Sequence, residues 1–364
     1  MYIKKLKIKN FRNYSAAELA FDPKTNIIYG NNAQGKTNLL EAIFVFCSGR
    51  SHRRADDGEM IAEGASSAVI ELEFTDDVRE YEGKMIMQSG KRKLVSFNGV
   101  SVSKISHIAN YINAVMFSPE DLNIIKGGPG ERRRFMDMAL SQLKPNYVSV
   151  LNDYLKVLKQ RNNLLKRLHT DSPALSTLDV WDEALADLSA KITLYRVDFI
   201  QFLKPFVKNI YAEFSSEILD LSYISNITDS FESYDVIKES MLKLLEKNRR
   251  RDLETKISNI GAHRDDIAFT IDGRDLKIYG SQGQHRSVVL CLKLAQTEAV
   301  YSIKKTYPII LLDDIMSELD KSRRDYFAGK IKNKQVIITG TDRDETQKDA
   351  RYFYVKAGTV HQEE

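Results

Sequence analysis

Two cysteines in 364 residues leave no material for a disulfide framework or a cysteine-ligated metal site. Both, Cys47 and Cys291, fall in apolar stretches with helical spacing, which suits a reducing compartment. Nor is there an apolar run approaching the roughly eighteen residues that a membrane-spanning helix needs. The N-terminus, MYIKKLKIKNF, alternates charged and apolar residues like a strand and lacks the apolar h-region of a secretory signal. Internal repeats and low-complexity tracts are also missing. These absences set the expectation of a soluble, cytoplasmic protein with no membrane association. The single tryptophan, Trp181, has apolar neighbours and reads as core rather than as a stacking platform. What remains is ordinary globular composition, and the length suggests roughly two domains. A net charge of +4 permits a nucleic-acid partner without requiring one.

The most informative stretch is Thr25 to Glu41, TNIIYGNNAQGKTNLLE. Ile27-Ile28-Tyr29 predicts a buried strand that breaks at Gly30, and Asn38 to Cys47 predicts a helix. Between them Gly30, Asn31, Asn32, Ala33, Gln34, Gly35, Lys36 and Thr37 fit G-x-x-x-x-G-K-[ST] at every fixed position. Glycines let the backbone turn its N–H groups around a phosphate chain, and the helix N-terminus adds partial positive charge. Lys36 is expected to reach the β- and γ-phosphates of ATP, and Thr37 to offer its hydroxyl to Mg²⁺. Asn38, the first residue of the predicted helix, is counted among the nucleotide contacts.

Residues 1–50 read as strand, turn, strand, strand, phosphate loop and helix. Ile3, Leu6 and Ile8 form an apolar face, and Gly49 stops the helix. Ser51 to Gly64 is polar and predicts a surface loop. Residues 68–98 alternate as an antiparallel sheet with a turn at Asn98-Gly99, and Tyr111 to Ser118 adds a strand. The breaker cluster Gly127-Gly-Pro-Gly130 opens a segment, Glu131 to about Leu245, that reads mainly as long helices. Val148, Leu151, Leu155, Leu158, Leu164 and Leu165 carry its stripe. Residues 131–170 hold nine Lys/Arg against three Asp/Glu. A solvated face explains most such runs. The concentration of this one also puts forward Arg132, Arg133, Arg134, Lys144, Lys156 and Lys159 as contacts to a DNA backbone. Arg132 to Arg134 equally suit ion pairs that hold the insertion to the core. Lys256 to Ile260 and Ile267 to Ile271 return to strand-like composition around the polar hexapeptide Gly261-Ala-His-Arg-Asp-Asp266.

Pro308-Ile-Ile-Leu-Leu-Asp313-Asp314 predicts a buried strand ending in two carboxylates, where ligands bind in open α/β sheets. Asp313 is placed to hold Mg²⁺ opposite Thr37, and Asp314 to act as general base for the attacking water. Lys36 and Asp313 are 277 residues apart, so something sizeable is inserted between the halves of one ATPase core. The expected division is 1–125 for the N-terminal part of the core, 126–250 for a helical insertion and 251–364 for the C-terminal part.

Ser281, Gln282, Gly283 and Gln284 open a predicted helix, His285 to about Lys304. They supply a hydroxyl, a glycine and free helix N–H groups, although an N-cap serine alone would look the same. Their place, one helix and one strand before the aspartates, resembles the signature motif of ABC-type ATPases, which closes over the γ-phosphate held by a second subunit. Ser317-Glu-Leu-Asp320 resembles the D-loop of that class. The implied fold is α/β, an ABC/SMC-type ATPase head with a mixed sheet carrying the phosphate loop, an antiparallel subsheet and an inserted helical domain. ATP would join a twofold dimer.

The set of motifs in order is specific. Ile8-Lys-Asn-Phe-Arg-Asn13, GNNAQGKTNLLEAI from Gly30, Ser48-Gly-Arg-Ser-His-Arg53, Phe117-Ser-Pro-Glu-Asp-Leu122, Glu131-Arg-Arg-Arg-Phe-Met-Asp137, Gly261 to Asp266, Ser281-Gln-Gly-Gln-His-Arg286 and Leu312 to Asp320 together resemble the RecF family, SMC-like ATPases of bacterial recombinational repair. The resemblance implies an ATP-dependent DNA-binding homodimer that works with RecR and RecO to place RecA at gapped single-strand/double-strand junctions. It also implies slow, weakly DNA-stimulated hydrolysis that releases the DNA, and a reach of Arg12 to the nucleotide. Two departures from the wider ABC pattern stand out. No glutamine occurs from Asn113 to Leu122, and Thr339-Gly-Thr341 stands where a switch histidine is common. Among rivals, a transport ATPase gives no reason for the basic insertion. A chromosome-organising SMC protein needs a long coiled coil, and an OLD-type nuclease needs a further domain. An ATP-binding scaffold with incidental hydrolysis, or another SMC-like DNA-associated ATPase, remains the alternative.

Overall fold

The computed structural model describes residues 1–76, 78–168, 173–343 and 349–363. In chain order its elements begin with β1 (Tyr2–Phe11), β2 (Tyr14–Ala20), β3 (Thr25–Tyr29), α1 (Lys36–Ser48), α2 (Asp57–Met60), β4 (Ser67–Thr75), β5 (Glu80–Gln88), β6 (Leu94–Phe97), β7 (Val100–Ser101) and β8 (Ala114–Phe117). Then come α3 (Asn123–Lys126), α4 (Pro129–Leu143), α5 (Pro145–Arg167), α6 (Thr177–Ala212), β9 (Leu219–Ile224), α7 (Tyr234–Thr255), β10 (Asp266–Ile271), β11 (Arg274–Asp275), α8 (Leu276–Tyr279) and α9 (Gln282–Lys304). The chain finishes with β12 (Ile309–Asp313), α10 (Ile315–Glu318), α11 (Lys321–Ile331), β13 (Val336–Gly340), β14 (Arg351–Lys356) and β15 (Thr359–Gln362). Two compact units result, Met1–Asp121 with Leu292–Glu364, and Leu122–Cys291.

The first unit holds two six-stranded sheets, ordered β2-β1-β4-β5-β6-β7 and β15-β14-β3-β13-β12-β8. The first is antiparallel throughout. Its β1 carries Ile3, Leu6 and Ile8 into the core. A strict two-residue pleat would put Ile3 and Leu6 on opposite faces, and a register shift against β4 between Ile3 and Lys5 corrects this. In the second sheet β14, β3, β13, β12 and β8 run parallel, and β15 alone is antiparallel. Every residue of β12 is buried, as expected of a parallel strand covered on both faces. Helix α1 lies against both sheets and is buried on every side from Leu39 to Cys47, apolar there except for Glu41, rather than amphipathic. Gly49 ends it in the left-handed conformation (φ +74°), its N–H bonded to the carbonyl of Val45.

The second unit packs α4 to α7 with a three-stranded antiparallel sheet, β11-β10-β9. Arg161 of α5, fully buried, ties three elements together. It donates to Asp182 of α6 (2.6 Å), Asp252 of α7 (2.7 Å) and the Ser258 hydroxyl (2.8 Å).

Several elements differ from what the sequence pattern suggests. The second unit runs on to Cys291, whereas the expected insertion ended at 250. The reason is β9, which falls inside the stretch with helical character and pairs with β10 from Leu219↔Ile271 to Ile224↔Asp266. Lys256 to Ile260 forms no strand. Helix α7 reaches Thr255, Lys256 turns left-handed (φ +61°), and Ser258 and Asn259 bond back to Asn162 and Asp252. Ser51 to Gly64 contains the short α2, with a capping box at Asp56 and Glu59 and a buried Met60. In α5 the inward face is Tyr147, Leu151, Tyr154, Arg161 and Leu165, while Leu155 is 47% exposed. Strands β14 and β15 were not expected from the sequence pattern.

Candidate nucleotide-binding site

Strands β3, β13 and β12 end side by side, with β13 in the middle. From β3 the chain enters Gly30 (φ +143°), passes Ala33 (φ +62°) and reaches Gly35 (φ +113°), the N-cap of α1. Side chains cannot replace either glycine. A Cβ on Gly30 would lie 2.4 Å from the carbonyl oxygen of Val355, and one on Gly35 2.6 Å from Asn13 Nδ2. Helix α1 starts with no side-chain cap and no acidic residue in its first turn, so its N-terminal dipole is available to an anion. Lys36, 5% exposed, donates its Nζ to the carbonyls of Gly30 (2.6 Å) and Asn31 (3.0 Å). Neighbouring segments brace the loop from outside. Asn13 Nδ2 donates to the Gln34 carbonyl (3.1 Å) and Asn38 Nδ2 to Asn13 Oδ1 (2.8 Å), while Ala357 N–H donates to Gln34 Oε1 (2.6 Å).

Thr37 Oγ1 donates to Asp313 Oδ1 at 2.8 Å across 276 residues of chain. Asp313 is buried, which pushes its carboxyl above the ordinary range while the hydroxyls of Thr339 and Thr37 pull against that shift. Asp314 follows in the left-handed region at φ +52°, a conformation that costs a non-glycine residue about 1–2 kcal/mol. Such strain is frequent where function fixes the backbone. Glu120, exposed just past β8, acts electrostatically on Asp313 and on His52, so a third carboxylate belongs to this end of the sheet. A glycine cradle, an uncapped helix start, a buried lysine and a Thr–Asp pair form a donor set that fits a nucleoside triphosphate with a divalent cation.

The family described as RecF/RecN/SMC N terminal domain matches residues 2–362. DNA replication and repair protein RecF of Acetivibrio thermocellus is 41% identical over 99% of this chain and 100% of its own length. The protein of the same name from Lachnoclostridium phytofermentans is 40% identical over 99% of each chain. The chain belongs to the RecF family. A solved structure of the recombination mediator protein RecF-ATP in RecFOR pathway superposes with a TM-score of 0.93 at 33% identity, covering 100% of this chain and 98% of that one. An SMC head bound to the C-winged helix domain of ScpA superposes at 0.53 with 17% identity, covering 100% of this chain and 98% of that one, which shows the shared fold. Among the described residues of this RecF-family chain no helix is long and apolar enough to cross a membrane.

The other expected site residues have partners of their own. Arg12, expected at the nucleotide, is taken up by α1 and α2. Its Nε and Nη2 donate to Glu41 (2.8 and 2.7 Å) and its Nη1 to the Glu59 carbonyl (2.8 Å). Ser281 to Gln284 belong to the second unit, with Ser281 and Gln282 exposed. Ser281 accepts from Gln284 N–H (3.1 Å), Gln284 Oε1 accepts from Ser281 N–H (2.7 Å), and Gln284 Nε2 donates to Glu217 (2.8 Å). The serine is thus a helix cap as well as the expected signature residue. In Ser317 to Asp320, the side chains of Ser317 and Glu318 lie outside the described residues. Asp320 caps α11 by accepting from Arg323 N–H (2.9 Å).

The basic candidates divide. Arg132 is 6% exposed and its guanidinium grips Asp266 (2.5 and 2.8 Å) and the Gly127 carbonyl (3.1 Å), which corrects its expected place on DNA. Arg133 is half-buried and donates to the Asp265 carbonyl (2.7 Å), and burial lowers its pKa. Arg134 is also half-buried. Lys144, Lys156 and Lys159 are exposed, with Lys156 paired to Asp153 at 3.1 Å. The hexapeptide Gly261 to Asp266 turns out to brace the second unit, with Arg264 left exposed. His263 contacts the Tyr154 hydroxyl (2.6 Å) and the Ser258 carbonyl (2.9 Å), and Arg196 donates to the Ala262 carbonyl (2.6 Å) and to Asp137 (2.8 Å). Sequence reasoning set Thr339 only against the switch-histidine position and did not find its bond to Asp313, and it missed Glu120 and the segments that brace Gln34. Thr339 had a signal, as a hydroxyl ending an apolar strand next to the aspartates.

Proposed function

We propose that this chain is an ATP-dependent DNA-binding ATPase of recombinational repair that acts as a homodimer in the cytoplasm. Gly30 to Asn38 bind the triphosphate, Lys36 meeting the β- and γ-phosphates. Thr37 and Asp313 hold Mg²⁺, which when bound screens the phosphate charge. Asp314 takes the proton of the attacking water. Ser281 to Gln284 of a second copy cover the γ-phosphate, so each nucleotide needs both chains. Lys144, Lys156 and Lys159 contact the DNA backbone. With RecR and RecO the dimer helps place RecA at gapped junctions, and slow, weakly DNA-stimulated hydrolysis ends its stay.

The hydrogen bond from Thr37 to Asp313 supports this reading most directly, because it joins the two halves of a nucleotide site at adjoining strand ends. The relative whose structure is described as RecF-ATP in RecFOR pathway supports the ligand and the pathway. Light scattering with and without ATP tests the dimer, repeated with gapped duplex, plain duplex and no DNA. Wild type should double in mass with ATP, Lys36→Ala and Ser281→Arg should remain monomeric, and Asp314→Asn should hold the dimer after wild type has dissolved it. An oligomeric state indifferent to ATP would refute the proposal. An Asp314→Asn protein that matches wild type would favour a scaffold with incidental hydrolysis.

A further inference from the structure

Asp313 Oδ1 accepts two hydroxyls. One is that of Thr37 and the other that of Thr339, the register partner of Asp313 in β13, each at 2.8 Å. Thr339 is 2% exposed and ends the apolar run Val336-Ile337-Ile338. Its hydroxyl oxygen also accepts the backbone N–H of Asp314 at 3.1 Å. One buried hydroxyl therefore uses its donor on the first carboxylate and its acceptor on the backbone of the second. A buried hydroxyl without partners would be a liability in such a strand, where valine fills the same volume. The Leu312 carbonyl also lies 3.4 Å from this hydroxyl, but the 2.8 Å bond to Asp313 is the shorter, so the donor is directed chiefly at the first aspartate and the acceptor at the second.

We propose that Thr339 is a positioning residue for metal-dependent nucleotide binding. It fixes the carboxylate of Asp313 against the cation and pins the left-handed turn that carries Asp314. The proposal rests on the reading of Thr37 and Asp313 as cation ligands. An outer hydrogen bond of this type orients the ligand before the metal arrives, and losing one typically costs about 10–100-fold in metal affinity. Thr339 sits in the strand between the phosphate-loop strand and the Asp313 strand, so it can hold this alignment without touching the nucleotide.

The test compares Thr339→Val, which keeps the shape, with Thr339→Ser, which keeps the hydroxyl. Mn²⁺ binding is read by electron paramagnetic resonance in the presence of a non-hydrolysable ATP analogue, and analogue binding is read separately in EDTA. Thr339→Val should weaken Mn²⁺ binding at least about tenfold, and Thr339→Ser should stay near wild type. Analogue affinity in EDTA should be the same in all three. If circular dichroism shows that the valine variant does not fold, Thr339→Ala replaces it, since alanine and serine differ by one oxygen. Mn²⁺ affinity that survives loss of the hydroxyl overturns the proposal. Wild-type protein that gains no affinity for the analogue from Mn²⁺ overturns the assignment of Thr37 and Asp313, and the proposal with it. The two failures are thus read from different proteins.

Discussion

Replacing Arg12 by alanine should destabilise the protein far more than loss of an exposed ion pair. Glu41 is fully buried in α1 and receives two hydrogen bonds from Arg12 and one from Ser51 (2.5 Å). Burial pushes the Glu41 carboxyl up, and the bonds from Arg12 and Ser51 outweigh it, holding the group below its ordinary range. Removing the arginine strands that charge, which costs about 3–5 kcal/mol. At about 2–4 °C per kcal/mol for domains of this size, the melting temperature should fall on the order of 10 °C. In a Glu41→Gln background the same change should cost under about 1 kcal/mol, since no buried charge is left behind. pH adds a signature. Without Arg12 the Glu41 carboxyl should titrate above its unfolded value, so the variant gains from protonation, and its deficit should be smaller at pH 5 than at pH 8. Calorimetry of the four proteins decides the matter. A single variant melting within about 2 °C of wild type, or an equal deficit in both backgrounds, would refute the argument. ATP-analogue affinity, measured below the transition, provides a second readout. A further loss between Glu41→Gln and the double variant would assign Arg12 to the nucleotide after all.

Arg132→Ala should lower stability on the order of 2 kcal/mol while leaving the salt dependence of DNA binding unchanged, because its guanidinium is committed to Asp266. Charge removal at Lys144, Lys156 or Lys159 should do the reverse, each true contact reducing the slope of log K against log salt by about 0.9 on duplex DNA. Unfolding followed across pH should show a loss of stability on acidification. His52 and His263 are half-buried, and the desolvation lowers each from 6.5 to about 4. The unfolded chain takes up their protons below about 6.5 and the folded chain only near 4, so stability falls as pH falls through that window. A flat profile between those limits would contradict their desolvation as neutral rings.

The candidate nucleotide site was legible because its motifs are local. Gly30 to Thr37 and Asp313-Asp314 each announce a strand end by apolar run, glycine or carboxylate, and the fold brings them together as expected. Residues whose partners lie far along the chain were harder to read. Arg12 fits a nucleotide contact as well as a brace, and the brace shows only once Glu41 is seen to be buried beneath it. Arg132 looks like one of three equal charges, and only β10 shows that Asp266 claims it. Strand β9 was hidden because a single six-residue strand between long helices carries little periodic signal before its partner is known. Lys256 to Ile260 erred the other way. Its alternating side chains serve a left-handed helix end and a polar core.

The sheet order has a consequence for synthesis. Both hydrogen-bonding neighbours of β3 are β13 and β14, which come from the far end of the sequence. At 5–20 residues per second the strand that carries the phosphate loop waits roughly 15–60 s for them. Through that interval its two edges stay open, and α1, whose buried residues are apolar on most sides, lacks β12 and β13 to cover it. The nascent first unit is therefore an aggregation hazard of the type that chaperones shield. Truncation of the buried apolar residues Val336 and Ile337 of β13, or Phe353 and Val355 of β14, should reduce yield during translation.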